Sequence, residues 1–240
     1  MIETKDRLIV ALDYDRKEQA LAVAREIKEH VGLFKVGLQL FSSEGADIVR
    51  MLHDEGVRVF LDLKLHDIPN TVAKAAVVAA GLKVSMINFH CLGGKKMLSR
   101  AVEEVSEYCA KNSLRKPLLI GVTILTSMAE SDIAEVGISP TLIDEVRKLA
   151  SVAKASKLDG VVASVHEIEA IKEECGKDFI VVTPGIRPLW SRKHDQERVT
   201  TPADAIRKGS DFIVVGRPIT DSSDRAKAAR EVVQEMQSSE

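Results

Sequence analysis

Residues 57–71 read VRVFLDLKLHDIPNT, and the two halves of that stretch ask for different surroundings. The first, Val57 to Leu63, is apolar except for Arg58 and Asp62, and it is rich in the β-branched and aromatic residues that favour strands. The second brings Lys64 and Asp67 directly after it, and Pro69 prevents the strand from simply continuing. Charges are costly to desolvate. A buried strand that ends in Asp62, Lys64 and Asp67 therefore either surfaces there or exists to present them.

Seven further runs share the character of this one: LIVAL (8–12), LFKVGL (33–38), MINF (86–89), LLIGVTIL (118–125), GVVAS (160–164), FIVVT (179–183) and FIVVG (212–216). Near-continuous apolar strands suit a parallel sheet covered on its outside by helices. Between the runs the apolar spacing is helical, with Leu21, Ala24 and Ile27 on one face, Ile48, Met51 and Leu52 on another, and Ala229, Val232, Val233 and Met236 on the last. Ser139-Pro140 and Thr201-Pro202 each read as an N-cap followed by proline in the first turn, and Gly209 falls where the helix begun at Thr201 should stop. No Pro-, Gly- or Ser-rich linker divides the chain. Eight strands alternating with helices over 240 residues predict a single-domain α/β fold spanning residues 1–240, a (β/α)8 TIM barrel. An open doubly wound sheet is the competitor.

The composition, 45% hydrophobic and 29% charged, allows a substantial core. A formal net charge of −2 gives no general attraction to nucleic acid or to anionic membranes, so any anion site must be built locally. The three cysteines, Cys91, Cys109 and Cys175, lie far apart without metal-ligand spacing and read as small buried hydrophobes of a reducing compartment. No secretory signal is visible, and the most apolar helical stretch, Ala75 to Leu82, is far short of the ~20 residues that span a bilayer. The expectation is a cytoplasmic protein.

In a barrel of this kind the chemistry sits at the C-terminal ends of the strands. There the runs deliver Asp13, Lys35, Asp62 with Lys64 and Asp67, His90, Thr126-Ser127, Arg187 and Gly216-Arg217. Two residues apart on an extended strand, Asp62 and Lys64 should leave one face. An ammonium held between carboxylates is kept charged and aimed, as a proton donor should be. Taken alone, the spacing fits a solvated Asp–Lys pair equally well. The second constellation is cationic. Arg187 follows Pro184-Gly185 after the seventh run and Gly216-Arg217 closes the eighth, where barrels commonly bind phosphate through backbone N–H groups and arginine forks. Between them PLWSRKHDQERVTTP is long for a loop and suits a lid, with Trp190 expected to pack it down. His66 and His194 read as local hydrogen-bonders, and His90 serves packing or the site equally well.

Together LIVALDY (8–14), FKVGLQLF (34–41), FLDLKLHDIPNT (60–71), NFHCLGGKKM (88–97), VTILTS (122–127), TPGIR (183–187), HDQERV (194–199) and VVGRPIT (214–220) resemble the orotidine 5′-phosphate decarboxylase family over essentially the whole chain, in its compact bacterial form. The resemblance implies a homodimeric barrel that converts orotidine 5′-monophosphate to UMP and CO2 without metal or organic cofactor. It implies Lys64 as proton donor, Asp62 beside the substrate carboxylate, and Asp13 and Lys35 at the ribose, with Lys35 also in the charged network. Asp67 and Thr71 would serve the partner subunit's site. The rest of that segment, Leu65, His66, Ile68, Pro69 and Asn70, belongs to the implied substrate-binding set, as does Pro184. Thr126 and Ser127 would meet the pyrimidine, Gln196 would bridge base and phosphate, and Arg187, Gly216 and Arg217 would hold the phosphate. The rivals are a metal-dependent phosphosugar lyase on a related barrel, which shares DxKxxD but lacks the DIPNT and HDQ segments, and a non-catalytic nucleotide-binding barrel.

Overall fold

The computed structural model describes residues 3–138, 141–191 and 200–239. Its eight parallel strands follow one another in sequence order around a closed barrel, which excludes the open doubly wound sheet. They are β1 Leu8–Ala11, β2 Leu33–Gly37, β3 Val59–Leu65, β4 Met86–His90, β5 Leu118–Val122, β6 Gly160–Val162, β7 Ile180–Thr183 and β8 Phe212–Val215. Each falls on one of the apolar runs. All residues of β1 and β8 are buried, as expected of strands covered on both faces.

β5 ends three residues before its run does. Thr123 and Ile124 are still buried, but the Thr123 hydroxyl donates to the Val162 carbonyl at 3.2 Å, and the chain then turns, with Met128 N–H on the Leu125 carbonyl at 2.8 Å. Hydrophobicity persists past the point where strand pairing stops.

By internal packing the chain divides into two compact units. One comprises the residues through Asp62 and those from Thr183 onward. Within it β1 pairs with β2 and β8, and β2 pairs with β3 in a register that sets Gly37 against Asp62. Helix Lys17–Ile27 buries Ala20, Val23, Ala24 and Ile27, the i, i+3, i+4, i+7 stripe of an amphipathic helix. Each fully buried large aliphatic on such a stripe contributes about 1.5–3 kcal/mol. Pro202–Arg207 starts as expected: Thr201 Oγ1 accepts the Asp204 N–H at 3.0 Å with Pro202 in the first position, and Gly209 follows its end.

The other unit, Leu63–Val182, carries β4 to β7 in consecutive register. Its helices Pro69–Gly81 and Gly94–Lys111 pack together, and the first buries the small residues Ala73, Ala76, Ala79 and Ala80. Helix Leu142–Ala155 is capped by Thr141, whose hydroxyl accepts the Asp144 N–H at 3.3 Å; the expected cap at Ser139-Pro140 lies outside the described residues. The cysteines are unpaired and buried, and burial pushes the Cys91 thiol up to about 12, so they pack as small hydrophobes. Among the described residues no helix is long and apolar enough to cross a membrane.

Candidate active site

In the first unit Lys35, third residue of β2, has its side chain only 12% exposed, and it is ion-paired twice. Nζ lies 3.1 Å from Asp13 Oδ1 and 3.6 Å from Asp62 Oδ2. Asp62 is 13% exposed and Asp13 57%, so the inner pair is shielded while the outer carboxylate meets solvent. The strand register produces this, since Ala11, two residues before Asp13, pairs with Lys35, and Gly37 pairs with Asp62. The absence of a side chain at Gly37 is part of it. A Cβ there would come to 2.8 Å from Lys35 Nζ and 3.5 Å from Asp13 Oδ1.

Arg187 and Arg217 also belong to the first unit. Gly185 has φ 77°, a left-handed conformation that glycine takes without strain, and it turns the chain after Pro184. The Arg187 N–H then donates to the Thr200 carbonyl at 3.0 Å, which joins the two ends of the long loop. Gly216 caps the short helix Arg217–Thr220, and the Arg217 side chain is exposed. Among the described residues neither guanidinium has a carboxylate partner, so both can meet an anion. Trp190, expected to pack the loop down, is 43% exposed. Gln196 and His194 lie outside the described residues.

The second unit holds Lys64 and the turn after it. Lys64 is half-buried with φ 51°, so the alternation that would send Asp62 and Lys64 to one face does not hold there. Its N–H donates to Asn88 Oδ1 at 2.8 Å. Leu65 closes β3, half-buried. Asp67 is exposed and accepts the N–H of Ile68 at 2.6 Å, and Pro69 opens the next helix at its first position, where no backbone donor is needed. Ile68 is 67% exposed, and Asn70 and Thr71 are also exposed. Thr126 and Ser127 form the exposed turn after β5.

His66, expected to hydrogen-bond locally, instead stacks on His90 with centroids 5.2 Å apart and planes at 22°. Burial first, then the neighbouring His66 and Lys64, lower the His90 pKa, and its Nδ1 is buried without a partner among the described residues. A histidine whose folded pKa is depressed contributes stability that is present above the unfolded value of about 6.5 and is lost as pH falls below it. His90→Gln is therefore expected to lose less stability than the parent chain when urea unfolding is compared at neutral and mildly acidic pH. Equal losses would contradict this.

Two positions next to these charged residues carry no signal in the sequence. Asn88 sits inside an apolar run and Gly37 looks like an ordinary strand-end glycine; only the contact each makes distinguishes it.

A model of the family described as Orotidine 5′-phosphate decarboxylase / HUMPS family matches residues 6–232. The chain is 50% identical over 236 residues to an orotidine 5′-phosphate decarboxylase of Syntrophotalea carbinolica, covering 98% of this chain and 97% of that one. It is 47% identical over 238 residues to one from Syntrophomonas wolfei, covering 98% and 100%. Among solved structures it is similar to the orotidine 5′-phosphate decarboxylase of Lactobacillus acidophilus, with a TM-score of 0.84, 38% identity, and coverage of 95% and 98%.

Proposed function

Because the chain belongs to the orotidine 5′-phosphate decarboxylase / HUMPS family, we propose that it removes CO2 from orotidine 5′-monophosphate to give UMP, with residues 1–240 acting as one catalytic domain. The observation that carries this reading is strand β3. It holds Asp62, ion-paired to the shielded Lys35, and two residues on it holds Lys64 in a conformation an ordinary strand does not adopt.

In the proposed reaction the bond from C6 to the carboxylate breaks and its electron pair stays on C6. The Lys64 ammonium donates a proton to that carbon, CO2 departs, and the amine regains its proton from water. A carbanion on an sp² carbon has no adjacent electron sink, so the uncatalysed barrier is high. Enzymes reach accelerations of ~10¹⁷-fold, equivalent to ~23 kcal/mol. A fixed ammonium aimed at the developing charge supplies part of this. Asp62 sits beside the substrate carboxylate, Asp13 and Lys35 bind the ribose hydroxyls, and Thr126 and Ser127 meet the pyrimidine. Gln196 bridges base and phosphate, and Pro184, Arg187, Gly216 and Arg217 form the phosphate grip. That remote grip provides binding energy that can be used at the reacting centre. No metal or organic cofactor takes part, and the reaction belongs to pyrimidine synthesis in the cytoplasm.

Asp67 and Thr71, with Leu65, His66, Ile68, Pro69 and Asn70 around them, serve the site of a second copy of the chain in a homodimer. The exposure of Asp67 and Ile68 supports this. Mixing equal amounts of Asp67→Ala and Lys64→Ala protein is then expected to restore up to about a quarter of parental activity, well above either variant alone, because about half of the dimers are mixed and each mixed dimer brings the partner residues together in one complete site of its two. No recovery in isolated heterodimers would refute the shared site.

Gly37→Ala separates Lys35 from its neighbours without disturbing the backbone, since φ −94° and ψ −175° are open to alanine. The new methyl would displace the flexible Lys35 tip, so kcat/KM is expected to fall on the order of 10- to 10²-fold, with the thermal unfolding midpoint nearly unchanged. Parental kinetics in this variant would contradict the role of Lys35. The overall reading is tested by supplying orotidine 5′-monophosphate with excess chelator and following the loss of orotate-ring absorbance. Turnover only after a divalent cation is added would favour the metal-dependent lyase.

A further inference from the structure

We propose that Asn88 is the positioning residue of Lys64, holding its backbone in the left-handed conformation from which the ammonium is presented. The inference rests on Lys64 being the proton donor, and it adds a residue that acts through it.

Among the described residues, four other than glycine have positive φ: Lys64, Lys83, Ser113 and Lys157. Three follow directly on helix C-caps, at Leu82, Asn112 and Ser156, where a left-handed residue commonly closes the last turn. Lys64 is the exception. It lies within a strand, where side chains other than glycine avoid this region. Such an outlier persists only where its surroundings hold it, and outliers of this kind gather at functional sites.

The holding group is visible. The Lys64 N–H donates to Asn88 Oδ1 at 2.8 Å. Asn88 is fully buried in the middle of β4, between Ile87 and Phe89, both also fully buried. A carboxamide in that setting is unfavourable unless its polar atoms are bonded, and a leucine would satisfy the packing. A buried amide that reaches from one strand to the backbone of the proposed donor fits a positioning role, and because it is packed on all sides its own orientation is set. Main-chain direction at Lys64 then determines where the side chain starts, and an error of about 1 Å at a reacting group can cost on the order of 10²-fold in rate.

The test compares Asn88→Leu, which keeps the bulk and removes the acceptor, with Asn88→Asp, which keeps an acceptor oxygen. In Asn88→Leu kcat is expected to fall roughly 10²-fold with KM nearly unchanged, and Asn88→Asp is expected to recover at least about tenfold of that loss. A kcat within about twofold of the parent in Asn88→Leu would overturn the proposal, as would Asn88→Asp performing no better than Asn88→Leu. Amide hydrogen exchange on the unmutated protein covers the case in which the variants do not fold. The Lys64 N–H should be protected well beyond the amides of the exposed residues His66 and Asp67, and exchange as fast as theirs would overturn the proposal. Lys64→Ala is run alongside. If it turns over like the parent, the assignment of the proton donor has failed; if it is inactive while Asn88→Leu is not, only the positioning role has failed.

Discussion

Lys64→Ala is expected to lower kcat on the order of 10⁴-fold, because it removes both the proton donor and the charge that faces the developing carbanion. The fold should survive, since Lys64 is a half-buried strand-end residue outside the apolar core. Backbone geometry supplies an internal control. At φ 51° alanine keeps the steric conflict of any L side chain, whereas glycine does not. Lys64→Gly should therefore be as inactive as Lys64→Ala yet more stable by about 1 kcal/mol, read from denaturant unfolding. Equal stability of the two would mean that the left-handed conformation relaxes once the side chain is gone.

The second large effect concerns the phosphate. Arg217→Ala is expected to reduce kcat/KM by about 10²- to 10³-fold, the scale of truncating one partner of a hydrogen-bonded charge pair. Arg217 is exposed beside Gly216, and without a carboxylate partner among the described residues it has no structural pair to lose, so stability should barely change. Arg217→Lys should recover only part of the loss, because an ammonium restores the charge but not the bidentate fork. Full recovery by lysine in steady-state kinetics would show that charge alone is being used.

Much of the architecture is legible because parallel barrel strands are written as continuous apolar runs, and all eight runs are strands. Their ends are less legible. β5 stops at Val122 although the apolar run continues to Leu125, since pairing ends where Thr123 turns its hydroxyl to Val162. The charged group around Lys35 can be read from strand-end positions, and two of its members do meet Lys35. The face of Lys64 cannot, because a period-two argument presumes extended backbone and Lys64 departs from it. Nor can the stacking of His66 on His90, which depends on how two chain segments distant in sequence come together. Asn88 is concealed by its neighbours: a polar residue inside MINFH carries no periodic signal, and only its contact with the Lys64 backbone reveals its use.

The most direct test is to incubate the chain with orotidine 5′-monophosphate in D2O containing excess chelator and to follow the ring protons by NMR. Stoichiometric UMP carrying deuterium at C6, formed by the parent and not by Lys64→Ala, is the expected result. Unchanged orotidine 5′-monophosphate, or deuterated product formed equally well without Lys64, would contradict the account.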